Sequence, residues 1–110
     1  MPIFVQLLWS GVAHAQGGFT ADDVTARLKT ASPRASCIVR YETGGTYDPN
    51  LIGKQGELGA AQLHPRGKLP AFYARGYSDP RDPVQAIEFL EEQIHIGQAG
   101  AWSPVARGLC

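Results

Sequence analysis

A carboxylate at a helix end is the best candidate for chemistry in this chain. Glu42 closes an apolar run and is followed directly by Thr43 and the pair Gly44 and Gly45. Ser32 is a good N-cap and Pro33 suits a first helical position. Residues 33–43 therefore read as a short amphipathic helix, with Ile38, Tyr41 and Glu42 on one face. Glycine reaches the left-handed conformation that stops helices, which puts Glu42 in the last turn. The negative end of the helix dipole, about half an elementary charge, lies there and disfavours ionisation. A carboxyl among apolar side chains at that end has its pKa raised and can donate a proton near neutral pH. Two further carboxylates follow closely: Asp48, which precedes Pro49 and reads as a turn cap, and Glu57, in a glycine-rich turn region.

These residues resemble a known family. Glu42-Thr43-Gly44-Gly45-Thr46-Tyr47-Asp48-Pro49 is similar to the glutamate motif of lytic transglycosylases and related lysozyme-like domains. Gly56-Glu57-Leu58-Gly59-Ala60-Ala61-Gln62 is similar to their second motif, in which a glycine-containing hairpin leads into a helix and presents a glutamine to the sugar. The motifs stand in the family's order and at its spacing. The resemblance is sharp from Ile38 to Gln62 and extends from about Thr20 to the C-terminus. It implies an α+β, predominantly α-helical, lysozyme-like fold with a small β-hairpin beside the active-site groove.

The activity it implies is that of a peptidoglycan lytic transglycosylase, cutting the β-1,4 bond between N-acetylmuramic acid and N-acetylglucosamine and leaving 1,6-anhydro ends. Glu42 would act as acid on the leaving oxygen and then as base on the sugar's own 6-hydroxyl. The 2-acetamido group would stabilise the cation, a substrate-assisted exception to the two-carboxylate rule. No cofactor and no metal enter this route. Glu57 is not indispensable in it, and Gln62, Glu57, Tyr47 and Tyr73 are the expected substrate contacts. From the residues alone, Gln62 reads rather as a polar bridge to backbone, and Phe72, Tyr73 and Tyr77 as core more than as sugar contacts.

Two features depart from the family pattern. The tail lacks its late Tyr-Asn-Ala-Gly motif, which Tyr73-Ala74-Arg75-Gly76 only echoes, and Gly-Ala-Ala-Gln replaces the commoner Gly-Leu-Met-Gln. The chain is thus similar to compact phage or secretion-associated muramidases, so a secretion or phage assembly joins the glycan strands as an expected partner. Two alternatives stay open: a hydrolytic muramidase using Glu42 with Glu57 or Asp48, and a non-catalytic peptidoglycan-binding module.

A chain of 110 residues has room for one modest core. Ten acidic and ten basic residues balance, and no dense basic run exists for nucleic acid. The apolar stretch from Pro2, ending in Ala13-His14-Ala15, has the length and small-x-small end of a signal peptide, although no Lys or Arg precedes it. Residues 1–15 are therefore expected to be a signal peptide, 16–110 the mature domain, and the location periplasmic or secreted; the competing reading is a buried N-terminal element. Cys37 and Cys110 can close a large loop in an oxidising compartment, or stand as unrelated thiols. The histidines, at 14, 64 and 95, are too far apart for ligand spacing, so no metal site is expected.

Three more elements complete the frame. Thr20 caps a helix carrying Asp22 and Asp23 in its first turn, with Phe19 as staple and Val24 and Leu28 on one face. Pro70 to Arg75 reads as a short helix ended by Gly76. Asp82 and Pro83 open a longer one, with Val84, Ile87, Leu90 and Ile94 at helical spacing and Glu88, Glu91 and Glu92 as an exposed charge run.

Overall fold

The computed structural model describes residues 18–110; the signal-peptide reading lies outside the described residues. Five short α-helices and one 3₁₀ turn build this part: α1 (Ala21–Leu28), α2 (Pro33–Glu42), α3 (Lys68–Ala74), α4 (Pro83–His95), the turn Ala99–Ala101, and α5 (Ser103–Ala106). No helix among the described residues is long and apolar enough to cross a membrane.

Local chemistry sets the helix ends. Thr20 and Asp23 form a reciprocal capping box at α1. Ser32 Oγ accepts from Ala35 N–H at α2, and Asp82 accepts from Val84 N–H at α4; Pro33 and Pro83 take the first positions. At the far end of α2, Gly44 N–H donates to Tyr41 O and Gly45 N–H to Arg40 O, both glycines having positive φ. That pairing is the Schellman motif, and it fixes Glu42 as the last helical residue. Helix α3 starts two residues before Pro70, because a proline N–H is not needed in a first turn.

Helix α4 is the central element. Its Ala86, Ile87, Phe89 and Leu90 are buried with Val24 and Leu28 of α1, Ala35, Ile38 and Val39 of α2, and Phe72 of α3. Phe72 stacks on Tyr77 at 5.0 Å and meets Phe89 edge-on at 5.4 Å. Phe72 and Tyr77 are thus core, with the Tyr77 hydroxyl donating to Glu92 at 2.6 Å.

Several expectations are corrected. Val84 is 54 % exposed, and α4 turns Gln93 inward instead. Glu91 accepts from Ser32 N–H and Oγ–H, and Glu92 from Tyr77 and Arg75, so only Glu88 of the three glutamates is a plain solvated charge. Tyr41 is 48 % exposed. The buried face of α2 is Ala35, Ile38 and Val39, and continuing it by i+3 and i+4 arrives at Glu42.

The expected β-hairpin is reduced to two isolated antiparallel bridges, Ile52 with Leu58 and Leu58 with Leu63. Gly53, Gly56 and Gly59 turn the chain too often for strands to lengthen. Leu58 serves both bridges. Gly53 N–H donates to Glu57 O and Gly59 N–H to Leu51 O around the first, while Leu58 and Leu63 exchange both backbone bonds in the second.

Cys37 of α2 and Cys110 form a disulfide, with Cα atoms 5.8 Å apart across 73 residues of sequence. It ties the C-terminal segment onto the helix that carries Glu42. Arg34 Nε reinforces it by donating to Cys110 O.

Candidate active site

A cleft of about 510 Å³ opens between the end of α2, the bridged loop 51–63, the start of α3 and the 99–103 segment. That volume falls within the range of ligand sites. Glu42 and Glu57 both line it.

Glu42 is partly buried, and no hydrogen bond from the described residues reaches its carboxyl. Its pKa is raised from 4.5 to about 6, first by burial and second by the Glu57 charge, with Arg107 pulling the other way. Thr43, the next residue, is buried; its hydroxyl donates to Val39 O and accepts from Tyr47 N–H. The helix end beneath the acid is thereby locked to the segment that follows it.

Glu57 is shifted in the opposite direction. Its Oε1 accepts Gln55 N–H at 2.7 Å, and backbone N–H donation from Glu57 itself and from Gln55 keeps its pKa below the usual value. Gly53 makes its seat: a Cβ there would lie 2.7 Å from Glu57 Oε1 and 2.6 Å from Gln62 Oε1. One carboxyl is thus pushed toward holding its proton and the other toward losing it, the division of labour expected of an acid and a fixed anion.

Gln62 lines the same cleft, but its amide nitrogen is committed to backbone, donating to Gly59 O at 2.8 Å and Leu51 O at 3.1 Å. The bridging reading of this residue therefore holds for its nitrogen, while Oε1 lies beside Gly53. Gln62 does this at φ +49°, in the left-handed region. Tyr47, at φ +56°, packs against the core and does not line the cleft.

Tyr73 does not line the Glu42 cleft. It is 47 % exposed and lines a separate groove with Asn50, Ser78 and Arg81. Asp48 accepts Asn50 N–H at 2.9 Å, the turn cap its sequence suggests. Among the described residues no group of histidine, cysteine, aspartate or glutamate side chains could hold a metal ion.

Three cleft residues were not among the sequence candidates. His64 Nδ1 accepts Arg66 N–H, so Nε2 carries the proton shared with Gln55 Oε1 at 2.9 Å. Trp102 is 3 % exposed; its Nε1–H donates to Ala61 O at 2.8 Å and its ring forms part of the cleft wall. Lys68, the first residue of α3, completes the wall. From the sequence, Trp102 reads only as part of a terminal loop that folds back over the core, and neither His64 nor Lys68 belongs to a motif.

No family model, curated protein or solved structure matches this chain.

Proposed function

We propose that this domain, of lysozyme-like fold, cleaves the β-1,4 bond between N-acetylmuramic acid and N-acetylglucosamine in peptidoglycan, as a lytic transglycosylase acting outside the cytoplasm. The observation that carries the reading is the pair of carboxyls in one cleft, Glu42 with its pKa near 6 and Glu57 held ionised by backbone amides. The motif resemblance around both residues supplies the substrate. The disulfide fits a chain that works in an oxidising compartment.

In this mechanism Glu42 gives its proton to the glycosidic oxygen, and the bond from that oxygen to the muramic anomeric carbon breaks. The positive charge left on the sugar is stabilised by the substrate's acetamido oxygen and by the fixed charge of Glu57. Glu42, now a carboxylate, takes the proton of the muramic 6-hydroxyl while O6 bonds to the anomeric carbon, closing the 1,6-anhydro ring. Acid and base are regenerated and no water is consumed. The attacking group belongs to the same sugar, so proximity lowers the barrier.

A second reading is favoured by one observation, the presence of an ionised Glu57 in the Glu42 cleft. There Glu57 activates a water and the product is a reducing end. Mass spectrometry of muropeptides released by the oxidised protein tests both. Products lighter by one water identify the anhydro route, and reducing ends identify hydrolysis. Glu42→Gln should abolish release while binding persists; release unchanged in that variant would overturn the assignment. A wild-type protein that binds glycan and releases nothing would be a binding module.

A further inference from the structure

Among the described residues Lys68 forms no ion pair. Its ammonium donates to Gln93 Oε1 at 2.7 Å and to Gln98 Oε1 at 3.5 Å, 6.0 Å from the Trp102 ring centre. The ion pairs among the described residues are Arg75 with Glu92 and Arg81 with Asp79, and neither involves it. The charges that act on Glu42 are those of Glu57 and Arg107, and on Glu57 that of His64, so Lys68 neutralises neither cleft carboxylate. Gln93, only 5 % exposed, spends its oxygen on holding this ammonium at the cleft wall. An ammonium has three N–H donors, and two amide oxygens leave one free.

We propose that Lys68 is a specificity-determining residue that receives a carboxylate of the glycan substrate at the wall of the Glu42 cleft. The inference rests on the cleft being a peptidoglycan glycan site, and it adds the chemical feature that is selected there. Two groups of peptidoglycan carry such a charge: the lactyl ether of a muramic residue stripped of its peptide, and the free carboxylates of the peptide stem. Neutral oligomers of N-acetylglucosamine carry none.

Calorimetric binding to the disulfide-bonded Glu42→Gln protein, which cannot turn over its ligand, separates these cases with three glycans: peptide-free muramic chains, the same chains with stems, and neutral N-acetylglucosamine oligomers. A charged contact should make an acidic chain bind roughly ten- to a hundredfold tighter than the neutral one. Lys68→Met in the same background should weaken binding of the acidic chains far more than of the neutral one and so erase that difference, while Lys68→Arg should keep most of it. Preference for peptide-free chains identifies the lactyl carboxylate, and preference for stem-bearing chains alone identifies the stem. Equal affinity for acidic and neutral glycans, or equal losses on both in Lys68→Met, overturns the role of Lys68 and leaves the glycan reading standing. Binding to none of the three overturns both.

Discussion

Replacing Glu57 with glutamine should lower the pKa of Glu42 without returning it to 4.5. Burial is the largest cause of the raised value, Glu57 the second, and Arg107 opposes them more weakly than either. Removing the Glu57 charge leaves burial against Arg107, and burial is the larger, so the new midpoint must fall between 4.5 and about 6. Removing Arg107 as Arg107→Gln moves it the other way, above 6. A carboxyl with a pKa of about 6 is protonated about 9 % of the time at pH 7, and one at 4.5 about 0.3 %. Glu57→Gln can therefore slow cleavage at pH 7 by at most about thirtyfold through the proton on Glu42 alone. Carbon-detected titration of the Glu42 carboxyl reads the midpoint directly, and pH–rate profiles of the same variants read the consequence. If Glu57 acts only through its charge on Glu42, most of the loss disappears at pH 4.5. If it also activates water or stabilises the cation, the loss persists there. A wild-type midpoint near 4.5 would refute the burial argument, and a midpoint that stays near 6 in Glu57→Gln would refute the coupling of the two carboxyls.

The remaining predictions concern stability. Because folding raises the Glu42 pKa, the folded chain binds more protons than the unfolded one between pH 4.5 and about 6, and stability falls as pH rises through that window. Discounted for the exposed part of the carboxyl, Glu42→Gln should gain about 1 kcal/mol at pH 8, a Tm rise of about 4 °C, and gain nothing at pH 4; calorimetric scans at both pH values check it, and a gain equal at the two would contradict it. Reducing the Cys37–Cys110 bond, or replacing both cysteines with serine, should remove about 4 kcal/mol for a loop of 73 residues, seen as a Tm fall on the order of 15 °C. Gly59→Ala should cost about 3 kcal/mol or more by urea titration, since Gly59 sits at φ +79° and a Cβ there runs into the Pro80 carbonyl oxygen. An unchanged urea midpoint would mean that the 49–63 loop does not pack against Pro80.

What was legible in the sequence is what local chemistry decides. Thr20, Ser32 with Pro33, and Asp82 with Pro83 mark three helix starts, and Gly44 with Gly45 marks the end that carries Glu42. The burial of Glu42 was also legible, though by the wrong neighbours. Tyr41 and Val39 are two residues apart on the same helix, and spacing alone does not say which of the faces they occupy meets α4. Tyr73 lines a different groove for a related reason: on so short a helix, its neighbour Phe72 takes the core and Tyr73 turns about 100° away. His64, Lys68 and Trp102 reach the cleft only through tertiary packing, from segments that local patterns leave blank. The strands were overestimated because turn residues predict reversals of the chain and say nothing of how many residues pair between them.

A wall with almost no strand must be held by other means, and the bonds around Glu57 identify them. Gln62 staples two backbone carbonyls of the loop, Trp102 pins Ala61 from the core side, and Gly59 lies against the Pro80 carbonyl. Gln62 adopts a positive φ, which costs a non-glycine residue of order 1 kcal/mol or more and persists only where surrounding contacts over-determine it. Here they do, because the strained conformation is the one in which the Gln62 amide spans Leu51 and Gly59 while its oxygen stays beside the Glu57 carboxylate at Gly53. Tyr47, the other non-glycine residue with positive φ among those described, stands just past Glu42, tied by its N–H to the Thr43 hydroxyl. Both strained residues thus lie within five positions of a cleft carboxyl. The strain is the cost of bringing into one cleft two carboxyls whose pKa values are pushed in opposite directions, with very little β-structure to support them.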